Sequence, residues 1–263
     1  MEHSESLVFR MAAPDGTAPS IALLACDVLK NELTQHQGGA RIVETRFFEM
    51  GLHDHPGKLR AILQEHLAAV DARTDIDAVV LAYGLCGLGV VGLEPLRHRL
   101  VIPRAHDCIT LFMGSKEAYA AHQKAHAASY YFTPGWNRGR RVPGPEALEA
   151  LRRDFAEKYD AEDLEYLVET TRGQWAQHDT AAYVDLGTPD AEAEAAYAQG
   201  CARWLGWNFE RIAGDPTLLR DLLCGPWDAE RFEVVEPGRR LEQALDGGIL
   251  RSSPGPGPEH GPR

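Results

Sequence analysis

Short apolar runs alternate with amphipathic segments along most of the chain, and this alternation constrains the fold most. Buried parallel strands read as continuous apolar runs, because helices cover both faces of their sheet. Two such runs are SIALLA at 20–25 and AVVLA at 78–82. Between them, Arg41–Phe48 alternates like a strand, and apolar residues recur at helical spacing after Pro56. This order predicts strands joined by helices, and therefore a parallel sheet.

The second half of the chain repeats the alternation. Predicted helices cover 145–159, 160–177, 189–205 and 216–223, and predicted strands cover 181–186, 209–212 and 232–235. We therefore expect a three-layer α/β/α fold with a mainly parallel sheet. The Gly- and Pro-rich stretch Pro134–Pro145 suggests two similar lobes, at 20–140 and 141–250. Residues 1–19 are expected to be a flexible leader, and the Pro- and Gly-rich residues 251–263 a disordered tail.

The charge balance narrows the classes of partner. Asp and Glu number 39 against 27 Lys and Arg, which gives a formal net charge of −12 and argues against binding to nucleic acid. No apolar run reaches the roughly 18 residues of a membrane-spanning helix. The N-terminal residues also lack the pattern of a secretory signal. We expect a cytoplasmic protein with a small-molecule substrate, in which the five cysteines stay reduced.

Sulfur and imidazole side chains follow four successive predicted strands, at 20–25, 41–48, 78–82 and 100–103. They are Cys26, His53, Cys86, His106 and Cys108. In open parallel sheets, ligands bind at the carboxyl ends of the strands, so these side chains are expected at one edge. Thiolate and imidazole favour zinc or an iron–sulfur cluster over magnesium or calcium. The sequence therefore predicts a metal site there, with zinc as the first choice and a cluster as the alternative.

The predicted site is catalytic rather than structural. Structural zinc sites usually contain local C-x-x-C pairs, which this chain lacks, whereas three ligands from separate strand ends leave a position open. His106 is expected to be the fourth ligand or a proton shuttle, with His53 as the second candidate. Arg104 and Lys116 are expected to steer an anionic substrate or stabilise developing charge.

Glycines and aromatic residues suggest where a cofactor or substrate approaches the site. Gly84 and Gly87 flank Cys86 and allow a ligand to come close to backbone N–H groups. Tyr131 and Trp136, in the segment YYFTPGW, are candidates for the wall of a pocket. The same aromatic residues would equally serve to close the gap between two lobes.

Other interpretations of the cysteines stay open at this point. A single cysteine at a strand end is often a small packing residue. Cys86 or Cys108 would instead be a nucleophile if an imidazole activated it, although this leaves the other thiols unexplained. Cys201 and Cys224 are expected to be structural. Seven other histidines are expected at the surface, and they are His36, His55, His66, His98, His122, His126 and His178.

Several strings resemble the bacterial and archaeal family known as domain of unknown function 1638. They are LAYGLCGLG at 81–89, IPRAHDCITL at 102–111, YFTPGW at 131–136, and Trp227 with Pro237-Gly238. The resemblance runs from about Ile21 to Leu250, and PRAHDC is its most specific part. Cys26, His53, Cys86, His106 and Cys108 match the family pattern.

The resemblance implies a metabolic context but no reaction. Members of the family are often found beside corrinoid-dependent methyltransferase systems, which suggests a metal-dependent enzyme of methyl-group or one-carbon metabolism with a corrinoid protein as partner. A more distant similarity is to quinolinate synthase, a three-lobed lyase with a 4Fe–4S cluster, although here the candidate cysteines all lie in the first half of the chain. A metal- or corrinoid-binding accessory protein without activity is the alternative outside enzymology.

Overall fold

The computed structural model describes residues 18–255, which form two compact units. The first unit contains the residues up to Lys116 and those from Asp215 onwards, and the second is Glu117–Gly214. Parallel strands joined by helices dominate both units, which confirms the expected α/β fold with a mainly parallel sheet. No helix in residues 18–255 is both long enough and apolar enough to cross a lipid bilayer.

The strands and helices follow one another in the order expected for α/β units. The strands are β1 (Ser20–Cys26), β2 (Arg41–Phe48), β3 (Ala78–Ala82), β4 (Arg99–Pro103), β5 (Ser129–Phe132), β6 (Thr180–Asp185), β7 (Asn208–Ala213), β8 (Phe232–Val235), β9 (Arg239–Gln243) and β10 (Leu250–Pro254). The helices are α1 (Lys30–His36), α2 (Pro56–Val70), α3 (Cys108–Met113), α4 (Lys116–Ala125), α5 (Pro134–Arg138), α6 (Pro145–Phe155), α7 (Ala161–Trp175), α8 (Ala191–Leu205) and α9 (Thr217–Cys224).

A five-stranded sheet in the order β2-β1-β3-β4-β8 forms the centre of the first unit. Its first four strands are parallel, and β8 runs antiparallel to β4. Every residue of β1 and of β3 is buried, which is why both strands read as unbroken apolar runs. Strands β9 and β10 pair separately as an antiparallel ribbon.

The second unit contains a three-stranded parallel sheet in the order β5-β6-β7. Helix α8 packs against β6 and β7, because its alanines and Cys201 form one apolar face. The core residues are Phe132, Val142, Ala181, Tyr183, Ala195, Ala198, Cys201 and Ala202. Cys201 therefore has the packing role that its sequence context suggests.

The last part of the chain returns to the first unit. The buried residues of α9 are Leu218, Leu219, Leu222 and Leu223, and the helix packs against β3 and β4. Strand β8 then pairs with β4 and extends the sheet. The first unit is thus discontinuous in sequence.

The structure differs from the sequence-based expectation in its division and at its C-terminal end. The unit boundaries lie at 116/117 and 214/215, so they do not coincide with the expected lobes 20–140 and 141–250. Within the expected tail 251–263, residues up to Pro254 belong to β10, because backbone hydrogen bonds to β9 order a segment whose side chains give little apolar signal. Gly255 follows β10, and its N–H donates to the Gly238 carbonyl at 2.9 Å. Residues 256–263 of that tail, and residues 1–17 of the expected leader, lie outside the described residues.

The α9 contact yields a stability prediction. We expect Leu222→Ala to lower the free energy of unfolding of the first unit by about 3 kcal/mol, because it opens a cavity beside β3 and β4. Urea denaturation followed by circular dichroism measures this change. Leu245→Ala, at a residue that is 95% exposed, is the control and should change the same quantity by less than about 0.5 kcal/mol. Equal effects of the two substitutions would contradict the packing described for α9.

Candidate functional site

The pairing of β1 with β3 places Cys26 beside Tyr83. Ala25 is opposite Ala82 in this parallel ladder, so the next residue of each chain segment lies at the carboxyl edge of the sheet. Cys26 is 8% exposed and Tyr83 is 2% exposed. This edge therefore begins with a thiol and a phenol, both buried.

The segments that follow β3 and β4 approach each other closely at Gly84. A Cβ atom at Gly84 would lie 2.6 Å from the Cα atom of Asp107, so a larger residue does not fit. The Leu85 N–H donates to the Ala105 carbonyl at 2.8 Å, which continues the pairing beyond the regular strands. The glycine that the sequence suggested as a ligand approach site is thus needed for the contact between two loops.

Cys86 lies in a short 3₁₀ turn directly after this contact. Its N–H donates to the His106 carbonyl at 3.0 Å. Its φ is 45°, and Gly87 and Leu88 that follow have φ values of 62° and 74°. Three successive left-handed residues are unusual, and the conformation is unfavourable for the two that are not glycine. The surrounding hydrogen bonds hold Cys86 in this turn.

Helix α3 brings Cys108 to the same place. The Asp107 carboxylate accepts hydrogen bonds from the N–H groups of Ile109 and Thr110, at 3.0 and 3.4 Å, and so caps the helix. Cys108 is the first residue of α3 and is 7% exposed. Because Asp107 also contacts Gly84, the cap and the loop contact fix Cys108 together.

The environment of the Cys86 thiol opposes its ionisation. Burial raises the pKa of Cys86 to about 12, and negative charge on Cys26 and Asp107 acts in the same direction. Hydrogen bonds from the backbone of Gly84 and Cys108 lower this pKa but do not compensate. Cys86 is therefore a thiol at neutral pH, and a reactive nucleophile would need the opposite shift. This observation weighs against the nucleophile interpretation.

Tyr83 lies near enough to the three thiols to interact with them electrostatically. Its pKa is raised well above 10, first by burial and then by negative charge on Cys26, Cys86, Cys108 and Asp27. Its buried hydroxyl has no hydrogen-bond partner among residues 18–255. A buried O–H group without an acceptor is costly, and ordered waters or ligands usually satisfy such groups. The edge therefore contains an unsatisfied donor within electrostatic reach of three cysteine side chains.

The expected histidine ligands are not assembled with the thiols. The His106 side chain is exposed, and it is the backbone carbonyl of this residue that contacts Cys86, by accepting a hydrogen bond from its N–H. The ring nitrogens of His53 contact the Met50 carbonyl at 2.5 Å and the Asp54 carboxylate at 3.1 Å. His53 nonetheless lies nearby, since its carbonyl oxygen would be 3.7 Å from a Cβ atom placed on Gly87.

Within residues 18–255, one group of ligand atoms lies entirely within 4.8 Å, and it is His122, His126 and Glu210 in the second unit. The sulfur atoms of Cys26, Cys86 and Cys108 do not form such a group, so at least one pair of them is further apart. The three sulfur atoms are therefore spaced more widely than ligand atoms that are already arranged around a single ion.

The Arg104 side chain forms its hydrogen bonds and its ion pair with other groups of the first unit. Its guanidinium donates to the carbonyls of Ala229 and Gly248, at 2.9 and 2.8 Å, and to the carbonyl of Leu250. It also forms an ion pair with Glu233 at 2.6 Å, in which both side chains are largely buried. These contacts connect β4 to β8 and to β10. They favour a structural role for Arg104 over the expected role in substrate binding.

Lys116 lies near Arg104, as the sequence suggested, but in a separate cavity of the first unit. The Lys116 ammonium donates to the Glu230 carbonyl at 3.3 Å. The cavity has a volume of about 430 Å³, and its lining includes Arg104, Lys116, Glu230, Asp246, Gly248 and Arg251. None of the three thiols lines it. An anion bound by Lys116 would therefore occupy a different place from a metal bound by the thiols.

The two expected wall residues belong to the second unit. Tyr131 lies in β5, where its hydroxyl contacts Nδ1 of His122 at 2.7 Å. Trp136 lies in α5 and packs against the core of the second unit. Tyr131 and Trp136 thus belong to the fold of the second unit, whereas Cys26, Cys86 and Cys108 lie in the first.

Sequence reasoning missed two features of this chain. Tyr83 directly follows the apolar run AVVLA and looks like part of it, so the sequence does not indicate that its hydroxyl is buried without a partner among residues 18–255. His122 was expected at the surface, yet its side chain is 10% exposed and contacts Tyr131 and Glu210. The spacing of four residues between His122 and His126 was the available signal, because it places both on one helix face.

Comparison with known proteins identifies the family. The family described as "Protein of unknown function (DUF1638)" matches residues 47–223. The chain belongs to this family. The expected membership is thereby confirmed, and the matched segment includes Cys86 and Cys108 but not Cys26. No curated protein and no solved structure matches the chain.

The raised pKa of Cys86 yields a prediction of thiol reactivity. We expect iodoacetamide to leave Cys86 unmodified at pH 8 in the metal-free protein, because the thiolate is the reactive form. Its modification should increase only as the pH approaches 12. Peptide mass spectrometry gives the rate for each cysteine, and the unfolded chain in denaturant is the control in which Cys86 should react readily. Rapid modification of Cys86 at pH 7 in the folded chain would restore the nucleophile interpretation.

Proposed function

We propose that this chain is a metal-dependent enzyme whose metal centre is held by Cys26, Cys86 and Cys108. The observation that carries the proposal is that three thiols from separate strand ends lie near enough to the buried, unsatisfied hydroxyl of Tyr83 to interact with it electrostatically. The three cysteines come from separate strand ends, which is the arrangement typical of a catalytic metal with an open position. His53 and His106 are the candidates for a further ligand or a proton shuttle.

The charges around the thiols support a bound cation. The charged groups with the largest effects on the pKa of Cys86 and Tyr83 are all acids, and they are the cysteines, Asp27 and Asp107. Such a site favours the neutral thiols in the absence of a cation. A bound metal ion reverses this preference, because it stabilises the thiolates directly. The same charges would repel an anionic substrate.

Tyr83 has a defined role in this proposal. Its high pKa keeps the proton on the hydroxyl, so the group can donate a hydrogen bond to a thiolate ligand or to a substrate oxygen. Hydrogen bonds to metal-bound thiolates tune their basicity and hold them in place. The unsatisfied hydroxyl would thereby gain the acceptor that it lacks among the described residues.

Zinc and an iron–sulfur cluster remain the two candidate centres. Zinc in such a site would activate a thiol methyl acceptor, whereas a cluster would bind substrate at an iron without a cysteine ligand. Tetrahedral zinc places thiolates roughly 3.8 Å apart, given a Zn–S distance of about 2.3 Å. At least one pair of the sulfur atoms lies more than 4.8 Å apart, so a zinc ion would require the side chains to move closer together. The cysteines of a cluster bind different iron atoms and are separated further.

The metabolic context is proposed from the family. Its association with corrinoid-dependent methyltransferase systems supports a role in methyl-group or one-carbon metabolism, with a small-molecule substrate and a corrinoid protein as partner. A reducing, cytoplasmic environment would suit a chain whose five cysteines are all free thiols. A metal- or corrinoid-binding accessory protein is the alternative, and it would bind metal without turning over any methyl donor.

Metal analysis of cysteine variants tests the proposal. We expect the wild type, purified without oxygen, to contain one metal centre, and Cys86→Ser or Cys108→Ser to lose most of it because serine is a poor ligand for these metals. A brown protein absorbing near 400 nm would identify a cluster, and a colourless protein with stoichiometric zinc would identify a zinc site.

Cys224→Ser is the matched control for this experiment. The Cys224 thiol donates to the Gly38 carbonyl at 3.5 Å and lies outside the site, so its loss should leave the metal content unchanged. Full metal content in both Cys86→Ser and Cys108→Ser, or none in the wild type, would overturn the proposal.

Substitution of the buried tyrosine gives a second test. We expect Tyr83→Phe to leave the metal-free protein at least as stable as the wild type, because it removes a buried hydroxyl that has no partner among the described residues. The same change should weaken metal binding by about tenfold, measured by competition with a chelator. The control is Tyr183→Phe, which removes a buried hydrogen bond of 2.9 Å to the Ala191 carbonyl and should cost about 1–3 kcal/mol of stability. Unchanged metal affinity in Tyr83→Phe would exclude the hydroxyl from the site.

A further inference from the structure

We infer that the second unit contains an independent binding site for a divalent transition-metal ion, formed by His122, His126 and Glu210. Their ligand atoms all lie within 4.8 Å of one another. The inference does not depend on the thiol site, since none of these residues belongs to the first unit.

The helix supplies the first two ligands. His126 comes directly after α4, and its N–H donates to the His122 carbonyl at 2.8 Å, so it continues the last helical turn. The two rings stack with their centroids 4.8 Å apart and their planes at 22°. A spacing of four residues therefore presents two imidazoles on the same face of one helix.

The register of the sheet supplies the third ligand. Tyr131 in β5 is opposite Ala182 in β6, which in turn is opposite Glu210 in β7. Residues opposite each other in a ladder point to the same face, and the small Ala182 between them leaves room above the sheet. His122 enters this space, where Nδ1 contacts the Tyr131 hydroxyl at 2.7 Å and Nε2 contacts the Glu210 carboxylate at 3.2 Å.

The tyrosine contact orients the histidine as metal sites require. Histidine ligands usually donate the second ring N–H to an oxygen, which fixes the ring and its tautomer. With Nδ1 of His122 donating to the Tyr131 oxygen, the lone pair of Nε2 is on the side of the Glu210 carboxylate. The edge of the Tyr119 ring packs on Tyr131 at 5.3 Å between centroids and supports its position.

The donor set determines which ions fit. Two imidazole nitrogens and one carboxylate oxygen suit zinc, cobalt, nickel, copper or iron better than magnesium or calcium. Ligands around a tetrahedral zinc lie roughly 3.4 Å apart at the usual Zn–N and Zn–O distances, so small side-chain rotations close this group around an ion. His126 is exposed and the Glu210 side chain is 36% exposed, so solvent or a small ligand can complete the coordination.

An ion pair between a protonated His122 and Glu210 is the competing explanation for the same contacts. It accounts for the distance of 3.2 Å but leaves no role for the stacked ring of His126. The two explanations differ in one observable, because only the metal site needs all three side chains.

Cobalt titration of the full chain tests the inference. The Cys86→Ser/Cys108→Ser double variant is the background, because it removes two of the three thiolate ligands of the proposed thiol site. Cobalt bound through nitrogen and oxygen ligands then lacks the strong near-ultraviolet absorption of cobalt–thiolate bonds, so the two kinds of site are distinguished. We expect this variant to bind about one Co²⁺ per chain and zinc to displace it. His126→Ala and Glu210→Gln should each weaken cobalt binding by at least about tenfold.

His36→Ala, in the first unit, is the matched control and should leave cobalt binding unchanged. Circular dichroism checks that each variant is folded. The two substituted ligands are more exposed than His122, so replacing them disturbs the packing of the unit less. Absence of cobalt binding in the double variant, or equal binding in the His126→Ala, Glu210→Gln and His36→Ala proteins, would overturn the inference. These outcomes are separate from the thiol proposal, which depends on the metal content of the wild type and the cysteine variants.

Discussion

The close contact between the backbones of Gly84 and Asp107 is the constraint on which the thiol site depends. The loops after β3 and β4 can pair only because residue 84 has no side chain, since a Cβ atom there would lie 2.6 Å from Asp107. This contact fixes Cys86 on one loop and, through the Asp107 cap, Cys108 at the start of α3. A larger residue would separate the two thiols without altering either strand.

The two units carry candidate metal sites of different chemistry. In the first unit, two buried thiols and one partly exposed thiol lie near the carboxylates of Asp27 and Asp107, which suits a soft cation that remains bound. In the second, imidazoles and a carboxylate meet near the surface, which suits a borderline ion open to solvent. The first arrangement is built from strand ends, and the second from a helix face above a sheet.

Much of the fold follows from apolar patterning, and the exceptions have physical reasons. Strands β1 and β3 are buried along their whole length, so their sequences are unambiguous. Strand β5 has four residues, three of them partly exposed, and is too short to show a period. Strands β9 and β10 pair through their backbones and carry mainly polar side chains. The return of α9 and β8 to the first unit depends on contacts distant in sequence, which local patterns do not encode.

The sequence by itself determined the α/β class, the family and the placement of Cys26, Cys86 and Cys108 at strand ends, because periodicity and chain order are local properties. Only the tertiary structure decided which partners these and other residues meet. In the folded chain, Arg104 donates to backbone carbonyls and pairs with Glu233, and Glu210 contacts His122. The physical reason is that strand register and helix packing join residues far apart in the chain, and neither can be read from the segments separately.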